Sequence, residues 1–221
     1  MKPDFEKTIS ILAAKYPGIA ASEKSSAWEC LLFTALSART RDKQTEIVFQ
    51  KLMKKYPTIN DLATAKTPDV ERVLGTIGLF RAKARSAIGM AKKLRDEFHG
   101  QVPKTIDELI TLPGVGRKTA SCVLVYAYHQ PAIPVDTHVH RIVNRLGWVN
   151  TKTAEQTELA LRKVLPEKLW LTINRVMVFF GRDICVPTIP HCDTCPVFEL
   201  CAYHKKYDIC RTRSDHFSRN K

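Results

Sequence analysis

Four cysteines, Cys185, Cys192, Cys195 and Cys201, fall within seventeen residues near the C-terminus in the pattern C-x6-C-x2-C-x5-C. Four thiolates this close in sequence can enclose one metal centre within a single loop, and a loop pinned in that way limits what can be folded around it. A four-thiolate set suits an iron–sulfur cluster or a tetrahedral zinc. Zinc ribbons usually present two C-x2-C knuckles, and this chain has one. Gaps of six and five residues leave more slack than a small tetrahedral ion requires. They suit a wider cubane, so the spacing favours [4Fe–4S] over zinc. The competing reading is a pair of disulfides, which needs an oxidising compartment.

The rest of the sequence argues for a reducing one. The opening residues, MKPDFEKTIS, carry Asp4 and Glu6, and the apolar run from Ile9 to Ala14 is short and broken by Ser10. That is not a secretory leader. No stretch approaches the roughly 18 apolar residues needed to span a bilayer, so no membrane partner is expected. Cys30 and Cys122 lie in apolar helical patterns and are expected as reduced core residues, whereas Cys210 lies in a polar tail. The expected location is cytoplasmic, in association with the nucleoid.

Charge narrows the partner. The 221 residues hold 35 Lys or Arg against 22 Asp or Glu, a net +13. Residues 202–221 hold six Lys or Arg and two Asp, so +4 sits in the tail and +9 remains on the globular part. An excess spread this way points to a polyanion, with nucleic acid ahead of anionic lipid.

The pattern is helix after helix, with no internal repeat and no convincing strand alternation. Ser25 or Ser26 caps a run from Ala27 to Ala38. Asp42 is placed as the cap of the next helix, with Ile47, Val48, Leu52 and Met53 facing inward. Thr67-Pro68 reads as a cap followed by Pro at the first helical position. Residues 81–98 form a basic helix with Ala84, Ala87, Ile88, Ala91 and Leu94 as its buried stripe. Thr105 caps a short helix through Ile110, and another runs from Gly116 or Arg117 to about Tyr128. Three more cover 136–147, 153–165 and 167–182, the middle one with a Thr153/Gln156 capping box. Pro131 and Pro134 mark the expected domain crossing.

The segment Leu112-Pro113-Gly114-Val115-Gly116-Arg117-Lys118 joins two of these helices. Pro113 cannot continue a helix, and the glycines permit angles that bulkier residues avoid. Such a turn can aim backbone N–H groups outward at the start of the next helix, where the dipole also favours a phosphate. On a basic chain, with Leu-Pro before it and Arg-Lys after it, the segment reads as a helix-hairpin-helix clamp on DNA. The alternative is an ordinary glycine-rich connection.

Lys118 follows the second glycine by two residues. It can be a surface lysine meeting a phosphate. It can also be a nucleophile, because an amine among other cations is neutral part of the time. A neutral amine can attack C1′ of a deoxyribose and expel the base. The resulting Schiff base acidifies C2′, and β-elimination then breaks the strand. Asp136, at the head of Asp136-Thr137-His138-Val139-His140-Arg141, can cap a helix and can also stabilise positive charge on the sugar. His138 and His140 are two apart, a spacing that points them in different directions on a helix and away from a shared metal.

These motifs together resemble endonuclease III, of the helix-hairpin-helix DNA glycosylase superfamily. The resemblance covers about residues 5–208 and is carried by LPGVGRKTA at 112–120, VDTHVHR at 135–141, TIGL at 76–79 and the cysteine loop. It implies an all-α, two-lobed fold. A six-helix barrel domain would span 22–131, and an iron–sulfur cluster domain would combine 1–21 with 132–210. Residues 211–221 would be a disordered basic tail. It implies Lys118 and Asp136 as catalytic residues, the four cysteines as ligands of a [4Fe–4S] cluster, and Leu112, Gly114, Val115, Gly116 and Arg117 as DNA-binding. Leu79 matches a leucine wedge that probes the opposite strand. Arg39 stands where the family carries a glutamine that fills the space left by the extruded nucleotide, which leaves the opposite-base rule open. The loop Val-Pro-Thr-Ile-Pro-His between the first two cysteines also lacks the basic residues that relatives often place there.

The implied protein is a monomeric, bifunctional enzyme. It would remove oxidised pyrimidines from double-stranded DNA and cleave abasic sites. A mismatch glycosylase acting on G/T, G/U or adenine is the nearest alternative, but such relatives usually lack the hairpin lysine. A non-catalytic DNA-binding module is a third reading, and retention of both Lys118 and Asp136 argues against it.

Overall fold

Ser26 and Glu29 illustrate how local sequence dictates where a helix begins. The Ser26 hydroxyl accepts from the Glu29 N–H at 3.2 Å, and the Glu29 carboxylate accepts from the Ser26 N–H at 2.7 Å. Two orphan donors are satisfied reciprocally, and the helix starts at Ala27. Thr58 and Asp61 form a second such box.

The computed structural model describes residues 3–16, 26–38, 40 and 42–206. Arg39, Cys210 and the 211–221 tail therefore lie outside the described residues. Within them the chain is all-helical, with no strand. The helices are α1 (Phe5–Lys15), α2 (Ala27–Ser37), α3 (Asp42–Lys55), α4 (Ile59–Ala63), α5 (Thr67–Leu74) and α6 (Phe80–Glu97). They continue as α7 (Ile106–Leu109), α8 (Arg117–Tyr126), α9 (Thr137–Arg145), α10 (Ala154–Val164), α11 (Trp170–Asp183) and α12 (Ala202–Lys206). Among the described residues no helix is long and apolar enough to cross a membrane.

The chain divides into two compact units, Glu23–Pro134 and Met1–Ser22 with Val135–Lys221. In the first, α6 packs against α4 and α5, and α2 against α8. The expected stripe of α6, Ala84, Ala87, Ile88, Ala91 and Leu94, is buried throughout. Alanine at three of those positions lets neighbouring helices approach α6 closely. In the second unit, α11 packs on α9 and α1, with Val139, Ile142, Val143, Ile173, Met177 and Phe180 in its core. Gly181 sets the closeness of that crossing. A Cβ there would lie 2.5 Å from His138 Nδ1.

Some local expectations are corrected. Ile47, expected to face inward, is 54% exposed; Val48 and Leu52 are buried on that face of α3, with Phe49 and Met53 packed partly buried beside them. Helix α3 begins at Asp42 itself, and α5 at Thr67 with Lys66 as its cap. Thr153 does cap α10, accepting from the Gln156 N–H, but the Gln156 side chain reaches past it to the Lys152 N–H at 3.0 Å. Helix α4, only five residues long, is too short to show a period and was not anticipated.

Candidate functional site

The hairpin is held from inside. Leu112 and Val115 are buried, and the Val115 N–H donates to the Leu112 carbonyl at 3.1 Å. Any contact these two residues make with DNA must therefore come from their backbone. Gly114 has φ +78°, and a Cβ there would meet the Ser86 Cβ at 2.8 Å. Both the backbone conformation and the approach of α6 demand glycine at this position.

Gly116 differs. Its φ of −99° and ψ of 173° suit any residue, and a Cβ would meet nothing within 4 Å. The described fold has no need of a glycine there, whereas a ligand approaching the backbone closely would. Gly116 caps α8, and the first N–H groups of any helix lack an acceptor one turn back. No acidic residue occupies the first turn of α8 to neutralise that end. Arg117 and Lys118 are half-buried beside it.

This contrast yields a test. Gly116→Asp should leave the thermal midpoint nearly unchanged, while placing bulk and negative charge where a phosphate would sit. Its loss of affinity should be equal for damaged and undamaged duplex. Gly114→Ala, by contrast, should destabilise the protein by about 1–3 kcal/mol, from backbone strain and crowding against Ser86. Thermal melts alongside a fluorescence binding titration check both.

Leu79 opens α6 in the left-handed region, at φ 60° and ψ 26°, and is 60% exposed. A non-glycine residue in that region is held at a cost of about 1–2 kcal/mol. Exposure and a left-handed backbone together are not explained by the packing of the unit itself.

In the second unit, Asp136 caps α9. Its Oδ1 accepts from the N–H groups of His138 at 2.9 Å and Val139 at 2.8 Å. The side chain is half-buried. Lys118 belongs to the first unit and Asp136 to the second. The two histidines diverge as their spacing requires. His138 Nδ1 accepts from Arg141 at 3.2 Å, and His140 Nδ1 lies 2.6 Å from Thr157 Oγ1. Burial, reinforced by Arg141 and Arg182, pushes the His138 pKa down, against the opposing pull of Asp136.

The same helix α9 grips the cysteine loop. Arg141 Nη2 donates to the carbonyls of Cys185 at 2.8 Å and Gly181 at 3.1 Å. One turn on, Arg145 donates to Val186 O at 2.7 Å, Pro187 O at 2.6 Å and Cys185 Sγ at 3.4 Å. The Val-Pro-Thr-Ile-Pro-His segment has no cation of its own, and α9 supplies the charge its carbonyls need. Sequence reading missed both arginines.

All four loop cysteines line one cavity, walled by Ile142, Leu146, Phe180 and Val197, with about 340 Å³ of atom-free space including its mouth. None is in a disulfide. Among the described residues no set of three or more His, Cys, Asp or Glu is arranged to hold a single metal ion. Burial pushes the Cys201 thiol up, against backbone hydrogen bonds and Arg145 that pull it down. Four thiols lining one apolar pocket, with Arg145 beside the Cys185 sulfur, are of the chemical type that thiolate-ligated clusters use.

The described chain is all-helical, with a glycine hairpin that carries an amine at its edge in one unit and a four-cysteine pocket in the other. The HhH-GPD superfamily of base excision DNA repair proteins matches residues 33–167. Endonuclease III of Thermotoga maritima is 45% identical over 83% of this chain and 86% of its own length. A solved endonuclease III–DNA trapped covalent intermediate, an estranged-adenine complex, superposes with TM-score 0.83 at 36% identity, covering 90% of this chain and 95% of that one. A thermostable thymine-DNA glycosylase shares the fold, with TM-score 0.79 at 23% identity over 90% of this chain and 95% of its own. The chain belongs to the HhH-GPD superfamily and, within it, to the endonuclease III family.

Proposed function

We propose that the chain excises oxidised pyrimidines from duplex DNA and cleaves the resulting abasic strand through a Schiff base on Lys118. The glycosylase and lyase class follows from the family. The observation that carries the mechanism is Lys118 in the first turn of α8, two residues beyond the hairpin glycine that the fold itself does not require. The trapped covalent endonuclease III–DNA intermediate among its structural relatives supports a protein-borne nucleophile.

The steps balance without an external oxidant or reductant. The N–H groups at the hairpin and the start of α8 hold a phosphate beside the damaged nucleotide, which is extruded at a cost of a few kcal/mol in lost stacking and pairing. The neutral Lys118 amine attacks C1′ as the glycosidic bond breaks, and the base leaves with that electron pair and takes up a proton. The Asp136 carboxylate, fixed through Oδ1, opposes the positive charge that develops on the sugar. The sugar ring opens as the imine forms. Transfer of the C2′ proton to a base, a role open to the Asp136 carboxylate or to water, then expels the 3′ oxygen with its phosphate. Hydrolysis of the imine frees Lys118.

Residues 185, 192, 195 and 201 would hold a [4Fe–4S] cluster, with 1–21 and 132–210 forming its domain and 22–131 the barrel. The cluster, when bound, cross-links the loop that α9 grips through Arg141 and Arg145. Protein purified without oxygen should be brown, with about four irons and matching sulfide. Cys192→Ser should lose the cluster and loosen the C-terminal region, and stoichiometric zinc in place of iron would overturn the assignment. We place the protein in the cytoplasm beside the chromosome, acting as a monomer.

Duplexes that each carry one defined lesion, scored separately for base release and strand scission, test the whole reading. Oxidised pyrimidines should give both products. Base release without scission would remove the lyase half, and neither product from any lesion would remove the function. Affinity should also fall steeply with salt, in proportion to the phosphates neutralised. A salt-insensitive titration would contradict binding through the hairpin and the basic surface.

A further inference from the structure

Lys83 lies one turn after Leu79 on α6, and the steps above give it no part. Its backbone N–H donates to the Leu79 carbonyl at 3.0 Å. Its half-buried side chain reaches another element altogether. Nζ donates to the Leu36 carbonyl at 2.8 Å and to Thr40 Oγ1 at 2.5 Å. Leu36 is in the last turn of α2, where carbonyls have no donor further along the helix. That turn contains no basic residue of its own. The negative end of a helix dipole attracts a cation, so α6 supplies the C-terminal cap that α2 lacks.

The segment after α2 is tied down at the same point. The Thr40 N–H closes on the Ser37 carbonyl at 3.1 Å, while its hydroxyl takes the lysine. Both acceptors are neutral, and burial pushes the Lys83 pKa down. One side chain thus joins two features, the left-handed turn that exposes Leu79 and the end of α2 with Thr40 beyond it.

We propose that Lys83 is a positioning residue for opening the duplex, locking the Leu79 turn to the end of α2 so that both meet DNA as one rigid edge. This rests on the reading of Leu79 as the side chain that enters the base stack. Prying a nucleotide out costs a few kcal/mol. A leucine on a loose turn would spend part of its contact energy on its own ordering. A leucine already fixed to two helices would not.

The test uses full-length protein and single-turnover base release from two duplexes. In one the lesion faces a normal partner base, and in the other it faces an abasic analogue, so that no pair has to be broken. Lys83→Met should slow the first about tenfold and the second by no more than about twofold, with Lys83→Arg restoring most of the loss. Leu79→Ala with Lys83→Met should be no slower than the slower single variant, because the two residues act as a unit. Equal slowing on both duplexes, or multiplying losses, would overturn the proposal. In the free protein, Lys83→Met should raise amide exchange together in residues 36–40 and 79–83, and unchanged exchange would also overturn it. Wild-type protein that released no base from either duplex would defeat the proposed function, while the exchange measurement would still decide the brace.

Discussion

Lys118→Gln should give a folded protein that binds duplex DNA, forms no borohydride-trapped adduct and cuts no strand. Glutamine keeps most of the length and the polarity of lysine but has no basic nitrogen, so it can neither attack C1′ nor form an imine. Lys118 is half-buried in the first turn of α8, and the buried residues that hold the hairpin in place are Leu112 and Val115. The change in stability should stay within about 0.5 kcal/mol, the range of substitutions that touch no core, cap or strained position. One cation is lost beside the phosphate site, so the slope of log affinity against log salt should fall by no more than about one. The discriminating measurement is trapping on abasic DNA, because that substrate bypasses base extrusion and chemistry on the base. Undiminished trapping would place the nucleophile on another amine and end the assignment. Loss of trapping together with loss of all DNA binding would reassign Lys118 to phosphate contact.

The parts of this fold that were legible in sequence are those specified by neighbours in sequence. Ser26, Thr105, Asp136 and Thr153 each cap the helix that follows them, because a short polar side chain three residues or fewer from an orphan N–H needs no tertiary context. The buried stripe of α6 was readable from its period alone. The four cysteines announced a common centre by spacing, and they do line one cavity. What could not be read is what depends on partners far along the chain. Arg141 and Arg145 meet carbonyls and a sulfur some forty residues away, and Lys83 meets Leu36 and Thr40 at similar separations. Each of these looks like one more cation on a basic chain. Gly114 and Gly116 are alike as letters two positions apart. Only the backbone angles and the position of Ser86 show that one is required by the fold and the other is not. Asp136 combines both situations, since its capping role was readable locally and its proposed role in the chemistry has to be separated from that cap by experiment.

Asp136→Asn is the substitution that makes the separation. Asparagine caps helices about as well as aspartate, and its side-chain oxygen can keep the bonds that Oδ1 accepts from His138 and Val139. The start of α9 should therefore survive, and with it Arg141 and Arg145, which hang from the same helix and hold the cysteine loop. Charge is what is lost. A carboxylate that opposes positive charge on the sugar acts on the transition state of base release and on the proton transfers of elimination, so both steps should slow. The expected loss is on the order of 10² or more, the range for removing an electrostatic or acid–base group. Asp136→Ala is the companion variant. It removes cap and charge together, so it should slow the same steps and also cost about 1 kcal/mol of stability. Single-turnover rates and thermal melts on the pair then resolve the two roles. A slow, stable Asn variant assigns Asp136 to catalysis as well as capping, whereas an Asn variant as fast as wild type would leave it a helix cap and require another anion for the chemistry.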